Sequence, residues 1–435
     1  MNQSFESLGR SSEVRRQRAV AVALQQQGDE RETVCEHLDE LVQLADTAGA
    51  DVLDQVIQNR ARPDTATWIG KGKVAQLHAL VDELTLDLVL IDDDLSPRQA
   101  ANLERELKVP VIDRSGLILD IFAARARSRE SRTQVELAQL KYLLPRLSGA
   151  WSHLERQRGG IGMRGPGETQ LETDRRLVRT RIKQLEEELD VIQRQRETRR
   201  QGRDSLFRVS LVGYTNAGKS TLLNRLTGSE VFVEDRLFAT LDTTVRRLEL
   251  ADGAGCLLSD TVGFIRKLPH HLVASFRSTL EEAAEADLLL HVVDLSHPAW
   301  NQRITRVKEV LEDLGAGDTP VLYLFNKIDR VLDPGELSLA GRLHTPSLLV
   351  SATREIRLDE LVADLGLREN ERWARFRCTV PWTHGKLLGE LRRQCHLLDE
   401  GSSEHGFEYL QRVEHIHRDS FVREFADRGC ILVPA

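Results

Sequence analysis

Short apolar runs and amphipathic segments alternate along the first part of the chain. The runs, which predict strands, occupy 17–23, 50–58, 86–92 and 109–113. The segments between them have helical spacing and predict helices at 32–48, 73–84 and 96–108. Ser96 is a suitable N-cap for the last helix, with Pro97 at its first position. Because strands that alternate with helices favour a mostly parallel sheet, we expect an α/β domain over 17–125, behind a disordered leader at 1–16.

The pattern changes near residue 126, where two long helical segments flank a glycine-rich loop. The segments cover 128–157 and 168–202, and the loop between them runs from Gly159 to Gly167. Apolar residues in the second segment repeat as in a coiled-coil seam, at Leu171, Val178, Ile182, Leu185, Leu189 and Ile192. Such a seam needs a partner, and the first segment is the nearest candidate. We therefore predict a helical hairpin with a glycine-rich tip over 126–205.

A second alternation of strands and helices fills residues 206–368 and predicts another α/β domain with a mainly parallel sheet. The remaining residues, 373–435, show a pattern of strand, helix, strand, helix and strand, which suits a small α+β domain. The expected fold class is therefore α/β, with a helical hairpin between the two larger domains and a small α+β domain at the end.

The strongest chemical signal is a match to the phosphate-loop motif GxxxxGK[ST] at 213–220. It follows the apolar strand FRVSLV and precedes a helix at 221–226, which is the context that the motif requires. Glycines let backbone N–H groups turn toward phosphate oxygens, and a helix N-terminus favours anions. Lys219 would reach the β- and γ-phosphates, and the Ser220 hydroxyl would ligate Mg²⁺. The alternative is a chance match in a glycine turn, against which the flanking strand and helix argue.

Three later segments support a guanine nucleotide site. Asp260 follows an apolar run in the segment DTVG, where a strand-end carboxylate can hold Mg²⁺ through water. Asp329 follows the strand VLYLF in the segment NKID, and its carboxylate can accept from the N1–H and exocyclic amine of guanine. Adenine lacks this donor pair, so a buried carboxylate here selects guanine. Ser351, Ala352 and Thr353 follow another strand and would close over the base.

The order of these motifs resembles that of translation-factor-like GTPases, and longer stretches resemble the HflX family of ribosome-associated GTPases. Within the second α/β domain the similar stretches are GYTNAGKST, FATLD, DTVGFI and NKID. Outside it they are VIDRSGLILDIFAARARSRE, QVELAQLKYLLPRL and GGIGMRGPGETQLETDRR. The resemblance covers about 17–367 and implies a P-loop GTPase with GTP as substrate and Mg²⁺ as cofactor.

The resemblance also implies roles for individual residues. Thr240 would complete the Mg²⁺ coordination in the triphosphate state, so that Ser220 and Thr240 are the expected metal ligands. Lys219, Thr240, Asp260 and Gly263 would carry the hydrolysis, and Asn326 and Asp329 would read guanine. The full set expected to contact the nucleotide is Gly213, Tyr214, Thr215, Asn216, Ala217, Gly218, Lys219, Ser220, Phe238, Ala239, Thr240, Leu241, Asp242, Asp260, Thr261, Val262, Gly263, Asn326, Lys327, Ile328, Asp329, Ser351, Ala352 and Thr353.

Two positions bear on the rate of hydrolysis. Asn216 occupies the place where similar GTPases hold a potassium ion against the phosphates, and the alternative is a polar turn residue. Phe264 follows Gly263, where Ras-like enzymes carry a glutamine that orients water. Because a phenylalanine cannot orient water, another group, a partner or a monovalent cation must supply this function. We expect slow intrinsic hydrolysis that a partner stimulates.

Composition and charge limit the compartment and the partners. No run of 18 apolar residues exists, and five scattered cysteines without a CxxC pair suit a reducing cytoplasm. The net charge is −8, yet residues 146–205 hold 14 Lys and Arg against 10 Asp and Glu. Charge alone favours a solvated helix face over an RNA contact. The glycine- and arginine-bearing tip, however, can approach another surface closely, and the resemblance implies contact with the large ribosomal subunit near its catalytic centre.

Three functions remain open at this point. We expect a monomeric cytoplasmic GTPase that binds GTP and GDP, docks on the 50S subunit or the 70S ribosome and its rRNA through the 126–205 hairpin, and splits stalled or idle ribosomes under stress. The first alternative is a GTP-timed ribosome assembly or RNA-binding factor. The second is a GTPase switch that regulates a membrane protease.

Two charged features have structural alternatives. The run Asp92-Asp93-Asp94 could hold a metal, but charge placed before the helix at Ser96 is the favoured interpretation. Arg266 lies beside the DTVG segment and could act as an internal arginine finger, although a surface arginine is the default.

Overall fold

The structure, a computed structural model, describes residues 15–147, 166–200, 206–228, 237–250, 255–266, 282–384, 387–415 and 418–434. Most of the predicted leader and all but the last two residues of the glycine-rich tip lie outside these residues. The chain forms two compact units. The first comprises 1–246 and 257–356, and the second comprises 247–256 and 357–435.

The first four strands form a parallel sheet in the order β2-β1-β3-β4. Side chains of the central strand β1 alternate between two cores: Ala19 and Ala21 face α1 and α4, and Val20 and Val22 face α2 and α3. This burial on both faces confirms the prediction of a parallel sheet covered by helices. The elements are β1 (Gln17–Gln25), α1 (Arg31–Ala48), β2 (Ala50–Asn59), α2 (Lys71–Leu84), β3 (Leu88–Ile91), α3 (Pro97–Leu107), β4 (Val111–Asp113) and α4 (Arg114–Arg125).

Helix α3 begins where the sequence predicts. The Ser96 side chain accepts from the Gln99 N–H, the Gln99 side chain caps in return, and Pro97 occupies the first position. Helix α4 was not predicted, because an arginine at its start and a glycine in its first turn interrupt the helical pattern. Asp113 caps α4 by accepting from the Gly116 N–H at 2.9 Å.

Two helices, α5 (Arg129–Leu143) and α6 (Pro166–Arg200), belong to the predicted hairpin. The seam prediction is confirmed where it is described: Leu185 is buried, and Val178, Ile182, Leu189 and Ile192 are half-buried. Leu177 and Val191, off the seam, are 60% and 52% exposed. The first helix ends at Leu143, earlier than the predicted 157, and residues 148–165 lie outside the described ones.

Ion pairs join the two hairpin helices. Arg129 pairs with Glu188 at 2.8 Å, Lys141 with Glu186 at 2.8 Å, and Arg181 with Glu136 at 2.7 Å. Of these three cations, Arg181 belongs to the basic segment 146–205, and its charge is paired within the hairpin.

A six-stranded sheet carries the phosphate loop and has the order β10-β9-β8-β5-β7-β6. The pairs β5/β8, β8/β9 and β9/β10 are parallel, as predicted. Because parallel strands end at one edge, the loops after β5, β7, β8 and β9 meet there. The elements are β5 (Phe207–Val212), α7 (Lys219–Thr227), β6 (Thr244–Glu249), β7 (Gly255–Asp260), β8 (Leu288–Asp294), α8 (Trp300–Asp313), β9 (Val321–Asn326), α9 (Pro334–Leu343) and β10 (Ser347–Leu349).

The second unit contains an antiparallel sheet in the order β12-β13-β11-β14. The predicted order of three strands and two helices is wrong, because β12 is an additional strand. Its sequence HLLDEGSS lacks alternation, and Leu398 is 45% exposed on this edge strand. The elements are α10 (Leu358–Glu371), β11 (Trp373–Pro381), α11 (Leu387–Gln394), β12 (His396–Ser403), β13 (Gly406–Glu414), α12 (Arg418–Ala426) and β14 (Ile431–Pro434).

None of the helices described combines the length and the apolar character needed to cross a bilayer.

Candidate functional site

The loop between β5 and α7 is shaped by two glycines. Gly213 and Gly218 have φ angles of 147° and 96°, which favour glycine. A Cβ on Gly213 would lie 2.2 Å from the Val292 carbonyl oxygen, and one on Gly218 would lie 2.3 Å from Asn326 Nδ2. Any larger residue would therefore push the loop away from β8 and β9. The two fixed glycines of the motif are explained by this close packing.

Lys219 begins α7 and curls back over the loop. Its Nζ donates to the carbonyl oxygens of Gly213 and Tyr214 at 3.0 and 2.9 Å. Burial lowers the pKa of Lys219 to about 8, although the nearby Asp260 opposes this shift. A buried ammonium held by carbonyls is stabilised by an anion, and a phosphate group beside the loop would supply one.

Three oxygen-bearing side chains meet at the edge of the sheet. Ser220 Oγ donates to Asp260 Oδ2 at 2.6 Å and lies 2.7 Å from Thr240 Oγ1. Asp260 is fully buried, its Oδ1 has no hydrogen-bond partner, and burial raises the pKa of its carboxyl. Oxygen ligands of this kind suit Mg²⁺, which keeps part of its water shell. The buried unpartnered oxygen fits such a hydrated cation.

The segment after β7 is bound to the phosphate loop. A Cβ on Gly263 would lie 2.8 Å from the Thr215 Cα and 3.0 Å from the Lys219 Nζ, so only glycine fits. Phe264 donates its N–H to the Gly213 carbonyl at 3.1 Å and accepts from the Thr215 N–H at 2.7 Å. Its side chain is buried in the core. The ring therefore cannot orient a hydrolytic water.

Residues from three strand ends form the expected base-reading group. Asn326 Nδ2 donates to the Ala217 carbonyl at 2.8 Å, and its Oδ1 accepts from the Ala352 N–H at 3.0 Å. Ser351 Oγ donates to Asp329 Oδ1 at 2.5 Å. Lys327, at a φ of 63°, donates to Asp294 Oδ2 at 2.8 Å. Asn326 thus ties the phosphate loop to the 351–353 loop and orders both for a ligand.

Many of the residues predicted to contact the nucleotide lie at the cleft, and others have their side chains buried or bonded elsewhere. Leu241 and Val262 are buried in the core, and Asp242 bonds to the start of α5. Tyr214 lies under the Arg303 guanidinium, 4.4 Å from its ring centroid. Thr221 joins the cleft although the sequence analysis omitted it. The cleft is lined by Thr215, Asn216, Gly218, Lys219, Ser220, Thr221, Phe238, Ala239, Thr240, Thr261 and Gly263.

A buried ion network that the sequence pattern does not predict lies beside the cleft. Arg114 is fully buried and pairs with Glu40 and, at 2.7 Å, with Asp92. Its Nε donates to the Arg266 carbonyl at 3.1 Å, and Arg266 Nη2 lies 2.5 Å from Asp92 Oδ2. The sequence feature that points to this network is Arg114 itself, because a charged residue within the apolar segment VIDRSGLILDIF is buried only when it is paired.

This network corrects two interpretations. Asp92 is neither a metal ligand nor a simple helix-terminal charge, because two arginines bind it. Arg266 is neither an exposed arginine nor a free finger, because its guanidinium is buried against Asp92. Among the described residues, no group of three His, Cys, Asp or Glu side chains could hold a metal ion.

Comparisons with known proteins match most of the chain between α1 and the end of β9. Family models described as GTP-binding GTPase N-terminal, GTP-binding GTPase Middle Region and 50S ribosome-binding GTPase match residues 35–123, 125–203 and 208–327. The GTPase HflX of Caldanaerobacter subterraneus is 50% identical over 360 residues, covering 82% of this chain and 81% of the relative. The GTPase HflX of Escherichia coli is 51% identical over 300 residues, covering 68% and 70%.

Among solved structures, a GTP-binding protein from the archaeon Sulfolobus solfataricus in complex with GDP is 26% identical to the chain. The match covers 82% of this chain and 99% of the archaeal one, with a TM-score of 0.44.

Proposed function

Because the chain belongs to the GTPase HflX family, we propose that it hydrolyses GTP with Mg²⁺ at the cleft between β5 and β7, and that the ribosome stimulates this reaction. The observation that carries the proposal is the group formed by Ser220, Thr240 and Asp260, with a buried and unpartnered carboxylate oxygen at its centre. This group lies directly behind a phosphate loop whose buried lysine donates to the loop's own carbonyl oxygens.

Each residue of the cleft has a separable task. Ser220 and Thr240 would hold Mg²⁺ directly, and Asp260 would hold its water. When bound, Mg²⁺ neutralises charge on the phosphate oxygens. Lys219 would exchange its two carbonyl acceptors for phosphate oxygens, and the Gly263 N–H would donate to the γ-phosphate. Asn326 and Asp329 would orient guanine, with Ser351, Ala352 and Thr353 behind them.

The buried Phe264 ring supports a slow intrinsic reaction. The residue after Gly263 is this buried phenylalanine and offers no polar group, so the attacking water would be poorly held in the isolated protein. We propose that the ribosome completes the site, and that a potassium ion at Asn216 adds positive charge beside the phosphates.

The proposed ribosome contact rests on the hairpin and on the description of the matching family model. That model, a 50S ribosome-binding GTPase, covers residues 208–327. Arg176 and Arg179 are exposed on α6, on the side of the hairpin away from its seam. Arginines suit bidentate phosphate contacts, as in rRNA. We propose that the hairpin docks on the 50S subunit of cytoplasmic ribosomes and that GTP-bound protein separates stalled or idle 70S ribosomes into subunits.

Sedimentation and turnover test these proposals. GTP hydrolysis is measured with and without purified 50S subunits, in sodium and in potassium, and 70S ribosomes are sedimented with GTP, GDP or a non-hydrolysable analogue. We expect stimulation by 50S, a further gain in potassium, and loss of 70S into subunits with the GTP analogue. Binding only to immature particles would support the assembly-factor alternative, and no binding in any nucleotide state would exclude both.

A charge-reversal pair gives the matched control. Arg176→Glu with Arg179→Glu should weaken 50S binding and its stimulation while leaving unstimulated hydrolysis unchanged. The control reverses two exposed arginines elsewhere, Arg98 on α3 and Arg342 on α9. Equal weakening by both pairs would argue against a contact through α6.

A further inference from the structure

The loop that carries Thr240 is held at two points, one on each side of that residue. Two positions before it, Phe238 adopts a φ of 54° and is 2% exposed. Its ring meets Phe122 of α4 edge-on, with centroids 4.7 Å apart and planes at 84°. A non-glycine residue at this φ is retained where its surroundings fix it. Phe238 therefore anchors this loop to the N-terminal α/β domain (17–125).

The second anchor lies two positions after Thr240. Asp242 Oδ2 accepts from the N–H groups of Arg127 and Ser128 at 3.1 and 3.2 Å, and its Oδ1 accepts from Ser128 Oγ at 2.6 Å. Ser128 is the N-cap of α5, since its Oγ accepts from the Ser131 N–H at 3.0 Å. The carboxylate thus binds the positive end of the first hairpin helix.

Between these anchors, Thr240 lies 2.7 Å from Ser220 Oγ, at the oxygen group proposed to hold Mg²⁺. Since each anchor is two residues away, neither leaves much freedom for the threonine. We propose that Phe122 and Ser128 are positioning residues for GTP hydrolysis, which act through Phe238 and Asp242 to hold Thr240 at the metal site. This inference rests on the proposed role of Thr240.

The arrangement also links the nucleotide to the hairpin. Ser128 both holds Asp242 and starts α5, which packs and ion-pairs with α6. A triphosphate that holds Thr240 in place therefore favours Asp242 at the end of α5. Linkage is reciprocal, so a partner that fixes the hairpin in this arrangement raises the affinity for GTP relative to GDP.

The experiment compares affinities for Mg²⁺ with a non-hydrolysable GTP analogue and for GDP. In its proposed role Thr240 binds the metal only when a triphosphate is bound, so loss of an anchor should weaken binding of the analogue and spare binding of GDP. For Asp242→Ala we expect about fivefold weaker analogue binding, slower kcat and GDP affinity within about twofold. The matched control is Asp333→Ala, which removes the aspartate cap of α9, where Asp333 accepts from the Gly335 N–H at 2.8 Å. It should leave both affinities unchanged.

Two further variants keep the test decisive. Phe122→Leu keeps a bulky apolar side chain on α4 and removes the edge contact with the Phe238 ring, so it should reproduce the selective loss. Thr240→Val tests the proposed role of Thr240 separately from the positioning role of Phe122 and Ser128. If it too spares the analogue, the proposed role of Thr240 fails. If Thr240→Val weakens the analogue while Asp242→Ala and Phe122→Leu do not, or if they weaken GDP equally, the positioning proposal alone is overturned.

Discussion

Strands of both parallel sheets in the first unit end in buried aspartates, but the hydrogen bonding of these carboxylates differs between the two sheets. In the N-terminal sheet, Asp92 pairs with two arginines, and Asp113 accepts from Tyr142 and Arg146 at 2.7 Å each. In the second sheet, Asp260 keeps one oxygen without a partner and its carboxyl has a raised pKa. Carboxylates satisfied within the chain stabilise the fold, whereas an unsatisfied one awaits a ligand.

The largest expected effect tests the structural side of this comparison. Arg114→Met removes the cation that Glu40 and Asp92 share and leaves both carboxylates buried. The free energy of unfolding should fall by about 3–5 kcal/mol in urea titrations, because a buried pair has lost one partner. Arg98→Met, on an exposed position of α3, is the control and should change little. A loss below about 1 kcal/mol would mean that the network is solvated.

The next prediction concerns the functional side. Asp260→Asn should slow GTP hydrolysis by about 10²- to 10³-fold, since it removes the carboxylate that we propose holds the metal's water. The free energy of unfolding without nucleotide should stay the same or rise, because the substitution removes the cost of burying the Asp260 charge. Asp113→Asn should do the reverse, lowering stability with little effect on hydrolysis. The comparison breaks if Asp260→Asn destabilises the protein as much as Asp113→Asn does.

Sequence reasoning found the cleft because its parts are local. The phosphate loop is a contiguous motif, and its glycines are required by close contacts with β8 and β9. The NKID segment directly follows strand β9. The ion network was missed because Asp92 and Arg266 are 174 positions apart and neither has a local pattern. The same holds for the contact between Phe122 and Phe238, because the sequence offered Phe238 as a nucleotide contact and gave Phe122 no role. β12 was missed because an exposed edge strand needs no apolar alternation.

A smaller effect tests the base-reading group. Asp329→Asn should weaken GTP binding about 10- to 100-fold, since hydrogen bonds to a charged acceptor are lost. Xanthosine triphosphate, with a carbonyl in place of the exocyclic amine, should bind the variant better than GTP does. Wild-type protein should show the opposite preference. If nucleotide preference is unchanged by the substitution, Asp329 does not read the base.

The last prediction separates the two sheets by pH. His291 lies buried in β8, where burial lowers its pKa to about 3, while strands β1–β4 contain no histidine. Below the unfolded-state pKa of about 6.5 the unfolded chain binds a proton that the folded one refuses, so stability falls as pH falls. The slope is about 1.4 kcal/mol per pH unit between about 6.5 and 3.

Hydrogen exchange and paired unfolding titrations check this expectation. From pH 6.5 to pH 5, wild type should lose about 2 kcal/mol more than His291→Asn. The six-stranded sheet should lose amide protection before the N-terminal one. The exposed His405→Asn should follow wild type. Equal acid sensitivity of wild type and His291→Asn would mean that folded His291 takes up a proton as readily as the unfolded chain does, and that water reaches β8 below pH 6.5.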